Sequence, residues 1–388
     1  MRVLYVLHNT LPTDGSTKAV LGLISLLRER GVTPIFLVPD TKGIFNSLSG
    51  QGYETYAIPF KLSIYPNSKT NKDLLAFVPR LICRIAINTV ALYRIKKLIR
   101  RLHPDIVHTN TSVVSLGRMA ARSIGIPHIQ HIREYAAKEF YTVYFPSWRF
   151  VHRQIRNHNT FNICITQDIL RRHGLNPCNS VVIYDGVHPR MASIPASDKQ
   201  NYFLYAGRIE YGKGLDILLT AYSSYAREVQ HPVPLKIAGG IIDQNYHDSI
   251  KAYISQNRLS SHITYLGEVD NIEALMREAR ALIIPSRAEG FGFCMPEAMF
   301  NGCLCIGMRV AGTKEQMDKG LEYTGQEIAL SFTTHEELTT RLMEVHNSNN
   351  DDWTDMLTRA FNTVNSFYTR EDSADAVYEL YKAAKQQR

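Results

Sequence analysis

The chain has 388 residues, 45% hydrophobic and 21% charged, which fits two globular domains and is too apolar for a disordered chain. Its net charge of +8 is uneven: residues 1–195 carry 25 Lys and Arg against 10 Asp and Glu, the remainder 19 against 26. Six cysteines without a CxxC pair or zinc-like Cys/His spacing argue against a disulfide scaffold and a structural zinc site.

Arg2–Leu7 reads as a strand at the very start rather than a cleavable signal. Val20, Leu23, Ile24 and Leu27 then recur at helical spacing until Gly31, and Ile35–Val38 is apolar again, completing a βαβ unit. The alternation continues with a strand at Asp105–His108, a helix from about Ser112 to Gly125, and strands at Ile126–Ile132, Asn162–Ile165 and Val181–Tyr184. Between them, residues 72–102 predict a helix interrupted at Pro79. Residues 61–101 hold ten basic side chains and one acid, Asp73. That helix is either a contact with an anionic membrane or an ordinary domain helix with a solvated cationic face. No apolar stretch is expected to span a bilayer, and a reduced, cytoplasmic protein is expected, peripheral at most to the inner face of a membrane.

Residues 191–201 are polar and aperiodic and read as a linker, dividing the chain into domains 1–190 and 191–370. Beyond it, strands are predicted at Tyr202–Ala206, Leu235–Ala238, His262–Leu266, Ala281–Pro285 and Cys303–Ile306. Helices are predicted at Gly214–Arg227, Ile272–Ala279, Cys294–Phe300 and Glu336–Val345. Ala374, Val377, Tyr378 and Tyr381 predict a closing helix, about 371–388, packed back near the first domain. The fold class is α/β, two doubly wound Rossmann-like domains facing across a cleft, with ligands at the carboxyl ends of the strands.

Two loops carry chemistry. In Pro285-Ser-Arg-Ala-Glu289-Gly290-Phe291-Gly292-Phe293-Cys-Met-Pro-Glu297, a buried strand leads into a short helix. The amides of Gly290, Phe291, Gly292 and Phe293 are expected at its start, where unpaired N–H groups and the helix dipole favour an anion. Glu289 and Glu297 flank that turn and suit the hydroxyls of a sugar or ribose, although Glu297 alone could be a helix-start acid. In Gly207-Arg208-Ile-Glu-Tyr-Gly212-Lys213-Gly214, two cations stand five residues apart on a strand-to-helix loop and could stabilise a departing diphosphate.

These segments, with Tyr184-Asp-Gly-Val187, Leu266-Gly267, Val269 and Glu297-Ala298, resemble the retaining nucleotide-sugar glycosyltransferases of family 4, which have the GT-B fold. The resemblance implies a nucleoside-diphosphate-sugar donor, such as a UDP-sugar, held mainly by the second domain, and a saccharide or lipid-linked acceptor held by the first. It implies Arg208 and Lys213 on the diphosphate, Glu289 on the transferred sugar and Glu297 on the ribose. Gly207, Val269 and the Gly290–Phe293 amides complete the donor site. No metal or other cofactor is implied, and no Asp-x-Asp motif is present.

The first domain departs from the family pattern. Asp14-Gly15-Ser16-Thr17 stands where two adjacent glycines are usual; Gly15 and Ser16 are donor-binding candidates, with Ser16 as helix cap. Arg133 stands where many members have a histidine, leaving His131, Arg133 and Glu134 as acceptor-side candidates. The alternatives are a nucleotide-sugar epimerase and a catalytically silent subunit. A dinucleotide oxidoreductase lacks its G-x-G-x-x-G fingerprint here, and no aromatic-basic motif points to nucleic acid.

Overall fold

The computed structural model describes residues 1–12, 14–66, 71–135, 142–144, 148–156, 160–196 and 198–386. It divides into one unit of Met1–Gly186 with Arg370–Arg388 and a second of Val187–Thr369. Residues 191–201, read as a linker, belong to the second unit. Their polar groups are engaged there: the Met191 amide donates to Asn365, and Lys199 Nζ donates to the carbonyls of Arg277 and Gly302.

The first unit runs β1 (Arg2–Val6), α1 (Gly15–Glu29), β2 (Thr33–Val38), α2 (Ile44–Gly50), β3 (Glu54–Ala57), β4 (Ile64–Pro66) and α3 (Asn71–Leu102). It continues with β5 (Ile106–Thr109), α4 (Leu116–Ile124), β6 (His128–Ile132), β7 (Thr142–Tyr144), α5 (Trp148–Ile155), β8 (Thr160–Cys164), α6 (Gln167–Arg172) and β9 (Ser180–Val182). Seven strands form a parallel sheet in the order β3-β2-β1-β5-β6-β8-β9, while β4 and β7 pair antiparallel. Val3, Tyr5 and Phe36 face α1, and Leu4, Val6 and Ile35 face α3 and α4, so the central strands are buried on both sides as a parallel sheet requires.

Helix α3 passes through Pro79 without a break. Its Leu75–Leu102 segment is, by length and composition, long and apolar enough to cross a membrane, which corrects the expectation that none is. The reason is placement of charge: residues 75–90 contain only Arg80 and Arg84, while Arg94, Lys96, Lys97, Arg100 and Arg101 crowd the other end. That other end is anchored, with Ala91, Ile95, Leu98, Ile99 and Leu102 in the core, and none of residues 75–90 is buried.

The second unit runs β10 (Phe203–Ala206), α7 (Leu215–Glu228), β11 (Leu235–Ala238), α8 (Gln244–Gln256), β12 (Ile263–Gly267), α9 (Ile272–Glu278), β13 (Ala281–Ile284) and α10 (Cys294–Phe300). It ends with β14 (Cys305–Met308), α11 (Ala311–Thr324), β15 (Leu330–Phe332), α12 (His335–Asn347) and α13 (Thr354–Phe367). Six parallel strands lie in the order β12-β11-β10-β13-β14-β15. The last helix, α14 (Arg370–Gln386), returns to the first unit. It buries Val377 and Tyr381 beside α1 and ties Asp375 to Arg30 at 2.7 Å.

Candidate active site

In the second unit β10 lies between β11 and β13, so the connections that follow β10 and β13 diverge in opposite directions. This switch point is where doubly wound sheets open a crevice at their carboxyl ends. Both loops singled out in the sequence leave from it. Lys213 Nζ donates to Glu289 Oε1 at 2.6 Å, joining the loop after β10 to the loop after β13. Burial works to lower the Lys213 ammonium, but Glu289, with Cys294 adding, more than offsets it and the net shift is upward. Arg208 is more open: its side chain is 59% exposed and pairs with Glu210 at 2.8 Å.

Close backbone approach explains the glycine at 214. Its φ is +67°, and a Cβ there would lie 2.0 Å from the Pro285 carbonyl oxygen, so any side chain would drive the two loops apart. The sequence reading missed the brace beside it. Arg287 donates its amide to the Gly212 carbonyl at 3.0 Å and Nη1 to the Tyr211 carbonyl at 2.8 Å. Its guanidinium also makes a bidentate pair with Asp216 at 2.8 and 2.6 Å and stacks over the Tyr211 ring at 3.9 Å. A fork with five donors can hold a turn, a carboxylate and an aromatic face together, which lysine could not.

The remaining donor candidates lie in the same unit. Gly292 has a φ of +87°, Phe291 is buried against Phe293 and Tyr368, and Gln316 Nε2 donates to the Phe291 carbonyl at 2.7 Å. Gly290 lies in the same loop, and Phe293 is the N-cap residue immediately before α10. Cys294 Sγ contacts the Ala206 carbonyl at 3.3 Å, tying that helix start to the end of β10 next to Gly207. Glu297 is half-buried in the first turn of α10, and Val269 is half-buried in the connection between β12 and α9.

The first unit has its own switch point, between β1 and β5. Asp14, not Ser16, caps α1: the helix starts at Gly15, so the residue before it holds the capping position and its carboxylate accepts from the Thr17 amide at 2.9 Å. Ser16 Oγ donates to that carboxylate at 2.6 Å. Although burial opposes it, Ser16, His8 and Thr17 together hold the Asp14 carboxyl below its ordinary range. An anion of the protein itself thus occupies this helix start beside Gly15.

Among the acceptor-side candidates, Arg133 is 7% exposed and donates from Nη1 to both carboxylate oxygens of the buried Asp185, its Nε reaching the Asn110 carbonyl at 3.1 Å. Burial raises the Asp185 carboxyl even against the pull of Arg133. His131 is buried as well, its Nδ1 lying 3.3 Å from both His108 Nε2 and Arg133 Nη2. Glu134 is half-buried, and its Oε2 accepts from the amide and hydroxyl of Ser112 at 3.0 and 2.7 Å.

Burial, with Arg133 adding, pushes the His108 imidazole down to about 3, and burial is also the main cause holding His128 and His131 neutral. Between pH 6.5 and 3 the unfolded chain therefore binds a proton at His108 that the native chain does not. Stability contributed by that group falls by about 1.4 kcal/mol per pH unit of acidification, and the other two act in the same direction. Urea midpoints measured from pH 7 down to about 5 are expected to decline; a flat profile would contradict neutral buried imidazoles.

Comparison with known proteins places this geometry. A family model described as Glycosyltransferase Family 4 matches residues 13–190, and one described as Glycosyl transferases group 1 matches residues 190–355. The chain belongs to the family 4, group 1 glycosyltransferases, and its two sheets have the GT-B arrangement of strands. An uncharacterized glycosyltransferase of Methanocaldococcus jannaschii is 26% identical over 225 residues, 57% of this chain and 60% of the relative. A lipopolysaccharide core biosynthesis mannosyltransferase of Rhizobium leguminosarum is 29% identical over 32% of this chain and 35% of its own. The chain thus matches 60% or less of the length of these relatives. The solved structure of Anabaena HepE in complex with UDP and glucose has a TM-score of 0.76 over 99% of this chain and 100% of its own, at 15% identity, a likeness of fold.

Proposed function

We propose that the protein transfers a sugar, with retention, from a UDP-sugar to a hydroxyl of a lipid-linked or surface-polysaccharide acceptor, without a metal ion, in the cytoplasm at the inner face of a membrane. The observation that carries this reading is the Lys213–Glu289 pair with Arg208 at the switch point of the second unit. The UDP bound by HepE and the lipopolysaccharide role of the Rhizobium relative support the choice of donor and pathway class. The basic first half supports the membrane surface, since each Lys or Arg near an anionic leaflet contributes about 1 kcal/mol.

In this reading the bond between the anomeric carbon and the β-phosphate oxygen breaks with its electron pair moving to the diphosphate. Lys213 and Arg208 take up that charge, doing electrostatically what a divalent ion does elsewhere. The acceptor oxygen bonds to the anomeric carbon on the face the diphosphate leaves, and its proton passes to the departing phosphate oxygen. Glu289, held by Lys213, positions the sugar hydroxyls.

The test is UDP release from a panel of UDP-sugars, with EDTA present and a lipid-linked saccharide offered in anionic vesicles. Turnover with one donor, unaffected by EDTA and weakened as salt is raised, is the expected outcome. Glu289→Ala should lower that turnover by about 10²-fold and leave UDP affinity, read by calorimetry, nearly unchanged. Activity that requires magnesium, or a variant that loses UDP binding but keeps transfer, would overturn the assignment.

A further inference from the structure

A cavity of about 350 Å³ lies between α3, α4 and α5 in the first unit. Ile85, Leu92, Leu116, Met119, Phe150 and Val151 give it an apolar wall. Its lining residue Ile85 ends a stripe of α3 in which Leu75, Val78, Ile82 and Ile85 recur every three or four residues, all exposed, Leu75 to 81%. One helical face thus carries four large apolar side chains in water, beyond what scattered surface residues explain.

The same cavity contains a charge without a counter-charge. Arg118 lines it, is 3% exposed, and has Nε without a hydrogen-bond partner among the described residues. Its contact with Gln130 Oε1 is long, at 3.4 Å, and no carboxylate pairs with it among the described residues. Burial, with Arg122 adding, lowers it only to about 10, so the guanidinium stays cationic at neutral pH. A buried charge of this kind calls for an anion.

From Arg118 a line of contacts leads to the acceptor-side candidate. Gln130 Nε2 donates to the Thr111 carbonyl at 2.6 Å, and Thr111 precedes Ser112, which holds Glu134. An apolar cavity wall, a guanidinium without a carboxylate partner among the described residues and the Glu134 carboxylate follow one another in the order of a hydrocarbon chain, a phosphate and a glycan.

We propose that this cavity binds the phosphate and the adjoining hydrocarbon chain of a lipid-linked acceptor, the phosphate on Arg118 and the chain running out along the α3 stripe; this rests on the transferase reading and names its acceptor. The occupant is a lipid phosphate bearing the glycan rather than a bulk membrane lipid, because Arg118 is linked through Gln130 and Thr111 to the Ser112–Glu134 pair.

The experiment is calorimetry on the full chain with farnesyl phosphate below its micelle concentration, and with farnesol and inorganic phosphate as controls. Farnesyl phosphate is expected to bind at one saturable site, farnesol at least about tenfold more weakly, and inorganic phosphate not measurably. Ile85→Trp and Met119→Trp, which fill the cavity from two helices, should each weaken farnesyl phosphate at least about tenfold. Arg118→Gln should reduce its advantage over farnesol. Wild-type affinity in both tryptophan variants, or displacement of farnesyl phosphate by phosphatidylglycerol vesicles at equal lipid phosphate, overturns the proposal. UDP titrated into the same preparations separates the two readings. UDP binding without farnesyl phosphate binding removes the cavity and keeps the transferase; the reverse keeps the cavity and removes the donor assignment.

Discussion

Replacing Lys213 with alanine is expected to lower turnover by about 10²–10³-fold, the usual cost of removing one preorganised donor from a developing anion. Lys213 sits on a turn ended by Gly214 in the left-handed region, and its side chain is 21% exposed, so its charge acts in a partly desolvated place. The substitution also strands the Glu289 carboxylate, which then stands without its cation. The pair is largely buried, so the substitution should also cost some stability, between the about 0–1 kcal/mol of an exposed pair and the about 3–5 kcal/mol of a fully buried one. Lys213→Arg keeps the charge but exchanges a compact ammonium for a planar fork and should recover part of the rate. Initial rates of UDP release together with thermal unfolding check the pair of expectations; full turnover in the alanine variant would remove Lys213 from the chemistry. Arg208→Ala should likewise lower turnover, and with less effect on folding, since its side chain is 59% exposed and its partner Glu210 lies on the same loop.

The largest effect on stability is expected at Asp185. Asp185→Ala leaves the Arg133 guanidinium buried without its carboxylate, and breaking one side of such a pair costs about 3–5 kcal/mol. Removing both charges, as in Arg133→Met with Asp185→Leu, should recover most of that loss, because two apolar groups need no partner. Urea unfolding of the single and double variants measures the difference. If the double variant is no more stable than Asp185→Ala, the pair is not the source of the effect.

The two central parallel sheets were readable because buried strands between amphipathic helices leave a strong periodic trace, as in Leu235–Ala238 and Cys294–Phe300, whose predicted bounds match the structure. Helix α11 left none. In α11 the sequence Ala-Gly-Thr-Lys-Glu-Gln-Met-Asp-Lys-Gly is polar around its whole circumference, and only contacts such as Gln316 with the Phe291 carbonyl show what it packs on. The helix expected from Ser112 begins at Leu116; the Val113 carbonyl, which a longer helix would use internally, accepts instead from the Ser63 amide at 2.7 Å.

The candidate site was legible where one short loop carries both the turn and its functional groups. Partnerships between distant segments were not. Asp185 lay within a quoted motif, yet nothing local showed that it faces Arg133, 52 positions away. Arg287 stood two residues before Glu289, but its hold on Asp216 depends on how two connections meet in space. Arg118 looked like any basic residue on a helix until the fold buried it.

The return of α14 has a consequence for how the nascent chain matures. Val187–Thr369 is contiguous, so it can complete its core as soon as it clears the ribosome. The earlier-made portion must wait for its final seventeen-residue segment before Tyr381 can reach Tyr5 and His108. The half synthesised first is therefore the half finished last, and a stop codon before position 370 would leave it, rather than its neighbour, incomplete.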